Sequence, residues 1–187
     1  AGYDYVCTEI ADNGFYGNTY NQMKTDLTAV KLPNEVTRIG GNAFRECNAL
    51  ESFVGKGVVY IEGSAFYSAD AFVSVEFSPD LHTVEGSNNE GVFYGCWKLS
   101  NIYPSKMNLT STPGQSVFRE IPLTHGLDFS ESTFSSIAGN AFYGIAIPND
   151  CKIILPATLK SVGSGAFRQQ QNKKTYYVNL RFLGEVP

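Results

Sequence analysis

Histidine is scarce, with two in 187 residues, and no apolar run approaches the roughly 18 residues of a membrane helix. No basic cluster exceeds Lys173-Lys174, and the formal net charge is −4. Phosphate binding needs concentrated Lys and Arg, so nucleic acid is excluded as a partner. No serine stands in a Gly-x-Ser-x-Gly elbow, and no Walker loop occurs. A metal site wants several His, Cys or carboxylate ligands converging, and that spacing is missing too. The chain therefore reads as a non-enzyme, with no catalytic residue, no metal and no cofactor. A signal peptide is also lacking, so the chain is expected to be a fragment or the mature part of a larger protein.

What is present is one phrase, written repeatedly. Ile137-Ala138-Gly139-Asn140-Ala141-Phe142-Tyr143-Gly144 recurs as Ile39-Gly40-Gly41-Asn42-Ala43-Phe44, as Ile61-Glu62-Gly63-Ser64-Ala65-Phe66 and as Val162-Gly163-Ser164-Gly165-Ala166-Phe167. A further copy begins at Ile10, and worn copies end at Phe93 and Phe118. The phrase phenylalanines are Phe15, Phe44, Phe66, Phe93, Phe118, Phe142 and Phe167, in steps of 22 to 29 residues. A period of that size marks a solenoid, whose repeats are too small to bury a core alone and must stack. The seven rings are expected to form one buried column.

Each repeat has two extended segments. The first runs into the phrase, as in Val36-Thr37-Arg38-Ile39, and suits a short strand or bend. The phrase glycines are expected to allow the backbone reversal that follows. The second segment has the form Leu-x-x-h-x-h, often closed by proline, as in Leu27 to Pro33. Its alternation predicts one strand per repeat in a parallel sheet. The outward positions are then Ala29 and Lys31, Ser52 and Val54, Ser74 and Glu76, Asn101 and Tyr103, Gly126 and Asp128, Lys152 and Ile154, and Tyr177 and Asn179. Glu76 and Asp128 are expected two rungs apart, about 10 Å, at the far edge of inverting glycosidase geometry.

Units of the form LPxxVTxIGxxAFxxCxxLxxh, as in Leu32 to Phe53, resemble the BspA-like class of leucine-rich repeats, from about Tyr3 to Leu180. The departures are an insertion, Ser87 to Gly91, and a degenerate fourth repeat around Ser116-Val117-Phe118. The resemblance implies an α/β-type leucine-rich-repeat solenoid, β-rich and right-handed, as a single domain over residues 1–187. About seven repeats of 22–29 residues are expected, with a parallel sheet on one face and short turns or 3₁₀ pieces on the other. It also implies a bacterial cell-surface or secreted protein, located outside the cell, with adhesion to a protein as the usual role.

Four cysteines invite a disulfide reading, which the register opposes. Cys47 and Cys96 share a slot with Ala69, Ile121 and Ile145, and lie two rungs apart. That is about 10 Å, beyond the roughly 7 Å reach of a disulfide. Cys7 shares a slot with Val36, Val58, Leu81, Phe134 and Leu159, a core position. All four are expected to be free thiols, mostly buried.

The candidate site is the outward face at mid-solenoid: Ser74, Glu76, Asn101, Tyr103, Asp128, Lys152 and Ile154. Tyrosine is enriched at protein interfaces, and a mixed column suits a folded partner better than a repetitive polymer. The partner expected is a protein, a host extracellular protein being one case. A structural spacer and a carbohydrate-binding module are the other readings. His82 falls in a permissive outward slot. His125 falls in the degenerate fourth repeat, whose prolines Pro104, Pro113 and Pro122 deny the stretch regular structure. That stretch, Ser105 to His125, and the insertion are the next surfaces in line.

Overall fold

The computed structural model describes residues 6–17, 26–86, 90–169 and 178–184. In chain order the strands are β1 (Glu9–Ile10), β2 (Ala29–Lys31), β3 (Arg38–Ile39), β4 (Ser52–Gly55), β5 (Tyr60–Ile61), β6 (Ser74–Phe77) and β7 (Thr83–Val84). They continue as β8 (Asn101–Tyr103), β9 (Leu127–Asp128), β10 (Ser136–Ile137), β11 (Ile153–Leu155), β12 (Ser161–Val162) and β13 (Leu180–Phe182). All the sheets are parallel, and the chain winds as a β-solenoid of about six turns with little helix. Seven phrase phenylalanines bound six complete steps.

The first segments build one ladder, β1-β3-β5-β7, resumed as β10-β12. The second segments build another, β2-β4-β6-β8, resumed as β9-β11-β13. The first segments thus form two-residue strands, as suited their spacing, and the second segments form the parallel sheet. Between the faces the phrase makes a third set of rungs. The amide of Phe15, Phe44, Phe66, Phe93, Phe118 and Phe142 donates to a carbonyl in the next turn at 2.7–3.3 Å. Each bond runs from the phenylalanine of one turn to the residue before the phenylalanine of the next, and this constant offset holds equivalent side chains in register.

The rings then stack. Neighbouring phrase phenylalanines lie 5.0–6.2 Å apart, centroid to centroid, with interplanar angles of 4–27°. Phe44, Phe66, Phe93, Phe118 and Phe142 are buried, whereas Phe15 is 36% exposed and Phe167 half-buried. The column is continuous, and among the described residues each end ring stacks on one phenylalanine neighbour. Phe53, Phe77 and Phe129 pack against it at steeper angles. Cys47 and Cys96 are buried beside it, their thiols donating to the carbonyls of Phe15 and Phe66 at 2.9 and 3.0 Å. All four cysteines are free. Cys7, expected in the core, is exposed because no described residue covers the outer side of its turn.

The backbone reversal has a different origin from the one the phrase suggested. Left-handed residues stand two before the phrase phenylalanine, at Asn13, Asn42, Ser64, Ser116, Asn140 and Gly165, with φ of 55–69°. A second set stands two after it, at Glu46, Ser68, Gly95, Glu120 and Gly144, with φ of 54–86°. Asparagine tolerates this region through local hydrogen bonding. The glycine after the β-branched residue serves close approach instead. A Cβ on Gly40 would lie 2.6 Å from the Asp12 nitrogen and 2.8 Å from the Ala11 carbonyl carbon.

The degenerate repeat interrupts both ladders without leaving the solenoid. Met107, Leu109, Val117, Phe118 and Ile121 are buried. Thr110 N donates to His82 O at 2.9 Å, and Thr133 N to Leu109 O at 2.9 Å, so residues 107–114 fill the rung between β7 and β10. The expected irregular loop is a packed turn. Past Tyr103 the outer ladder stops at Pro104, which has no amide to donate. Ser100 faces Thr124, but Lys106 faces Asp128: six residue steps on one side are matched by four on the other. The last strand is also shifted, with Ile154 opposite Arg181. Its outward residues are thus Asn179 and Arg181, where the sequence predicted Tyr177 and Asn179. Tyr177 and residues 87–89 of the insertion lie outside the described residues.

Candidate binding site

The two-residue surplus before Lys106 splits the predicted site. Ser74 pairs with Asn101 and Glu76 with Tyr103 on the first outer sheet. Asp128 and Ile154 pair with each other on the second, beside the exposed Lys152. Asp128 was expected next to Tyr103 and is set off from it by the slip in register. Its bridge partner is Lys106, and its Oδ1 accepts a hydrogen bond from Ser130 N at 2.8 Å. Glu76 is ion-paired with Lys56 at 3.0 Å. Each carboxylate of the distant pair therefore holds a local partner.

In the place of Asp128 stands His125. Its ring stacks on Tyr103 at 5.6 Å and 20°. Its Nε2 lies 2.9 Å from the Ile102 carbonyl, which can only accept, so Nε2 carries the proton. Thr124 donates to Asn101 Oδ1 at 2.9 Å, and Asn101 Nδ2 donates to Ser100 Oγ at 3.0 Å. Tyr103 remains 50% exposed above this collar. The result is an aromatic platform whose neighbours are already fixed, so little side-chain entropy remains to be lost on binding. Sequence reading placed His125 at the end of the Ser105 to His125 stretch, in a worn repeat, and not on the outward face. Its signal was the spacing: 22 residues separate it from Tyr103, one short repeat. Beside the platform, Pro79, Pro104, Lys106, Met107, Asn108 and Glu131 line a mainly apolar recess of about 330 Å³. An ion pair between Lys106 and Glu131 at 3.2 Å crosses its rim.

A second surface was missed altogether. The residue after each phrase phenylalanine is Tyr16, Arg45, Tyr67, Tyr94, Arg119, Tyr143 or Arg168. The ladder that stacks the phenylalanines also stacks these. The Arg45 guanidinium lies over the Tyr67 ring at 4.1 Å, and that of Arg119 between Tyr94 and Tyr143 at 4.5 and 4.9 Å. Tyr67 meets Tyr94 edge-on at 5.6 Å, and Tyr94 meets the 47% exposed Trp97 at 5.7 Å. Arg45 is bound to Glu90 at 2.6 Å, and Arg119 to Glu120 at 3.2 Å. That hydrogen bond to Glu90 raises the Arg45 pKa above its ordinary value despite partial burial. Seven copies of Phe followed by Tyr or Arg were the available signal.

Among the described residues no helix is long and apolar enough to cross a membrane, and no cluster of His, Cys, Asp or Glu could hold a metal ion. No curated protein matches the chain. Among solved structures, a leucine rich cell surface protein from Faecalibacterium prausnitzii A2-165 is similar in fold, with a TM-score of 0.71 at 24% identity. The likeness covers 99% of this chain and 45% of that one, so the chain spans less than half the length of that structure. The model of the BspA type leucine rich repeat region matches in six copies, over residues 8–147 and 89–182. The chain belongs to the BspA-type leucine-rich-repeat family.

Proposed function

We propose that the chain is a non-enzymatic protein-binding module, acting in adhesion, of a bacterial cell-surface or secreted protein. Its partner is a protein, a host extracellular protein being the case to try first. The contact is made through the outward face around Ser74, Glu76, Asn101, Tyr103, Thr124 and His125. One observation carries this reading: a half-exposed Tyr103 held rigid against His125 within a collar of hydrogen-bonded side chains. Tyrosines of this kind are frequent anchors in protein interfaces. Membership of a family of typically non-catalytic solenoids, and the likeness to a cell surface protein, support the setting. Asp128, Lys152 and Ile154 extend the face across the break and serve as its rim.

The experiment is capture from an extract of host extracellular proteins on immobilised domain, followed by titration of the purified protein that is captured. Tyr103→Ala should weaken binding by at least about 2 kcal/mol, the hot-spot scale, with an unchanged circular dichroism spectrum. Lys152→Ala should alter the salt dependence more than the affinity. Full affinity in Tyr103→Ala moves the contact off this face.

A further inference from the structure

The order of residues along the Tyr and Arg ridge has a symmetry that its stacking does not require. From one end to the other it reads Tyr16, Arg45, Tyr67, Tyr94, Arg119, Tyr143, Arg168. Reversed about its midpoint, Tyr94, every other tyrosine falls on an arginine: Tyr16 on Arg168, Arg45 on Tyr143, Tyr67 on Arg119. A twofold axis performs that reversal when two copies of one surface meet antiparallel. We infer that this ridge is the contact surface of a twofold-symmetric homodimer, with the axis at Tyr94.

The chemistry suits the pairing. Within one chain the guanidinium groups of Arg45 and Arg119 lie over tyrosine ring faces, and each also holds a carboxylate, Arg45 that of Glu90 and Arg119 that of Glu120. Across the axis each arginine then faces a tyrosine, a cation beside an aromatic ring. The register is selective. A slip of one rung in one direction sets Arg45 on Arg119, and in the other sets Arg45 on Arg168, so either slip loses tyrosine–arginine pairs. Glu90 and Glu120 neutralise Arg45 and Arg119 within the chain, which lowers the repulsion between two copies. Trp97, half-exposed and in contact with Tyr94, contributes an apolar group from each copy beside the axis. Tyrosine, tryptophan and arginine are the residues that carry most interface energy. The ridge spans six rungs, roughly 30 Å. It shares no residue with the outward face around Tyr103, so a dimer would present that face twice and gain avidity.

Sedimentation of the full chain over a concentration series should show a monomer–dimer equilibrium. Trp97→Glu places a charge at an exposed position, and should weaken association roughly 30-fold while the circular dichroism spectrum stays the same. Cross-linking tests the axis independently, in a Cys7→Ser/Cys151→Ser background that leaves only the buried Cys47 and Cys96. Tyr94→Cys should form a covalent dimer on mild oxidation. Tyr67→Cys should not, because the two copies of residue 67 would stand about 10 Å apart, beyond the roughly 7 Å reach of a disulfide. A mixture of Tyr67→Cys and Arg119→Cys chains should cross-link again. A monomer at every concentration, a dimer indifferent to Trp97→Glu, or Tyr67→Cys linking as fast as Tyr94→Cys would overturn the assignment.

Discussion

Two columns run the length of the solenoid one residue apart, and they follow different rules. The inner column is phenylalanine at every rung, and the outer one is tyrosine or arginine at every rung. Both are held by the same amide ladder: the phenylalanine rings lie 5.0–6.2 Å apart, and the outer groups in contact lie 4.1–5.6 Å apart. At that spacing a planar side chain packs against its copy and a branched one leaves gaps. The guanidinium group is planar too, which is why it can share the column with phenols. Planarity is set by the ladder; burial then decides between hydrocarbon and polar groups.

Removing one inner ring gives the largest expected effect. Phe66 touches Phe44 and Phe93 in the stack and Phe53, Phe72 and Phe77 around it, all buried. Phe66→Ala should lower unfolding free energy by roughly 3–5 kcal/mol, through lost transfer energy plus a cavity. Among the described residues Phe15 stacks on Phe44 alone, and it is 36% exposed, so Phe15→Ala should cost about 1–2 kcal/mol. Urea titrations decide it. Equal losses at the two positions would mean that stacking is incidental to stability.

The inner column was readable because a buried slot accepts few residue types, and recurrence exposes the rule. The Cys47, Ala69, Cys96, Ile121 and Ile145 slot was read for the same reason, and all five are buried. The outer column recurred equally well but in two residue types, which looked like surface variation until the stacking geometry was known. The slip between Tyr103 and Asp128 left no recurring trace, since an insertion of two residues in a worn repeat can fall anywhere. His125 became visible only once that slip was located. The left-handed positions were hidden behind the glycines, because asparagine and serine adopt the same backbone with less emphasis in the sequence.

The thiols give an intermediate effect that belongs to the inner region alone. Burial pushes the Cys47 thiol up to about 12, and raises Cys96 as well. In the unfolded chain a thiol ionises near 8.5. A group whose folded pKa is raised contributes stability that is complete below the unfolded value and is lost as pH climbs toward the folded one. Stability should thus fall above about pH 9, by up to about 1.4 kcal/mol per pH unit for each thiol. Tyr60 acts in the same direction: its hydrogen bond to Glu85, more than its burial, lifts its pKa to about 12. A Cys47→Ala/Cys96→Ala chain separates the two, since Ala69 already fills that slot in another turn. If its denaturation midpoint falls with pH as steeply as that of the parent, the sensitivity lies in Tyr60 and not in the thiols.

The smallest effect tests the junction between the columns. Glu120 holds φ of 60° in a slot that Gly95 and Gly144 occupy in other turns, and it grips Arg119 Nε at 3.2 Å. The left-handed conformation costs a residue with a Cβ about 1–2 kcal/mol. Glu120→Gly removes that strain. It also forfeits an ion pair worth up to about 1 kcal/mol and loosens the unfolded chain by a further 0.4–1 kcal/mol, roughly. These terms nearly cancel, so Glu120→Gly should leave stability within about 1 kcal/mol of the parent. Glu120→Ala keeps the strain and loses the pair, and should be the weaker of the two variants. Arg119 remains between Tyr94 and Tyr143 in both, so the difference between them reports the backbone rather than the ridge. Thermal melts of the two suffice. Alanine matching or exceeding glycine would show that the slot does not select for the left-handed conformation, and that the Glu–Arg pair alone explains glutamate at this rung.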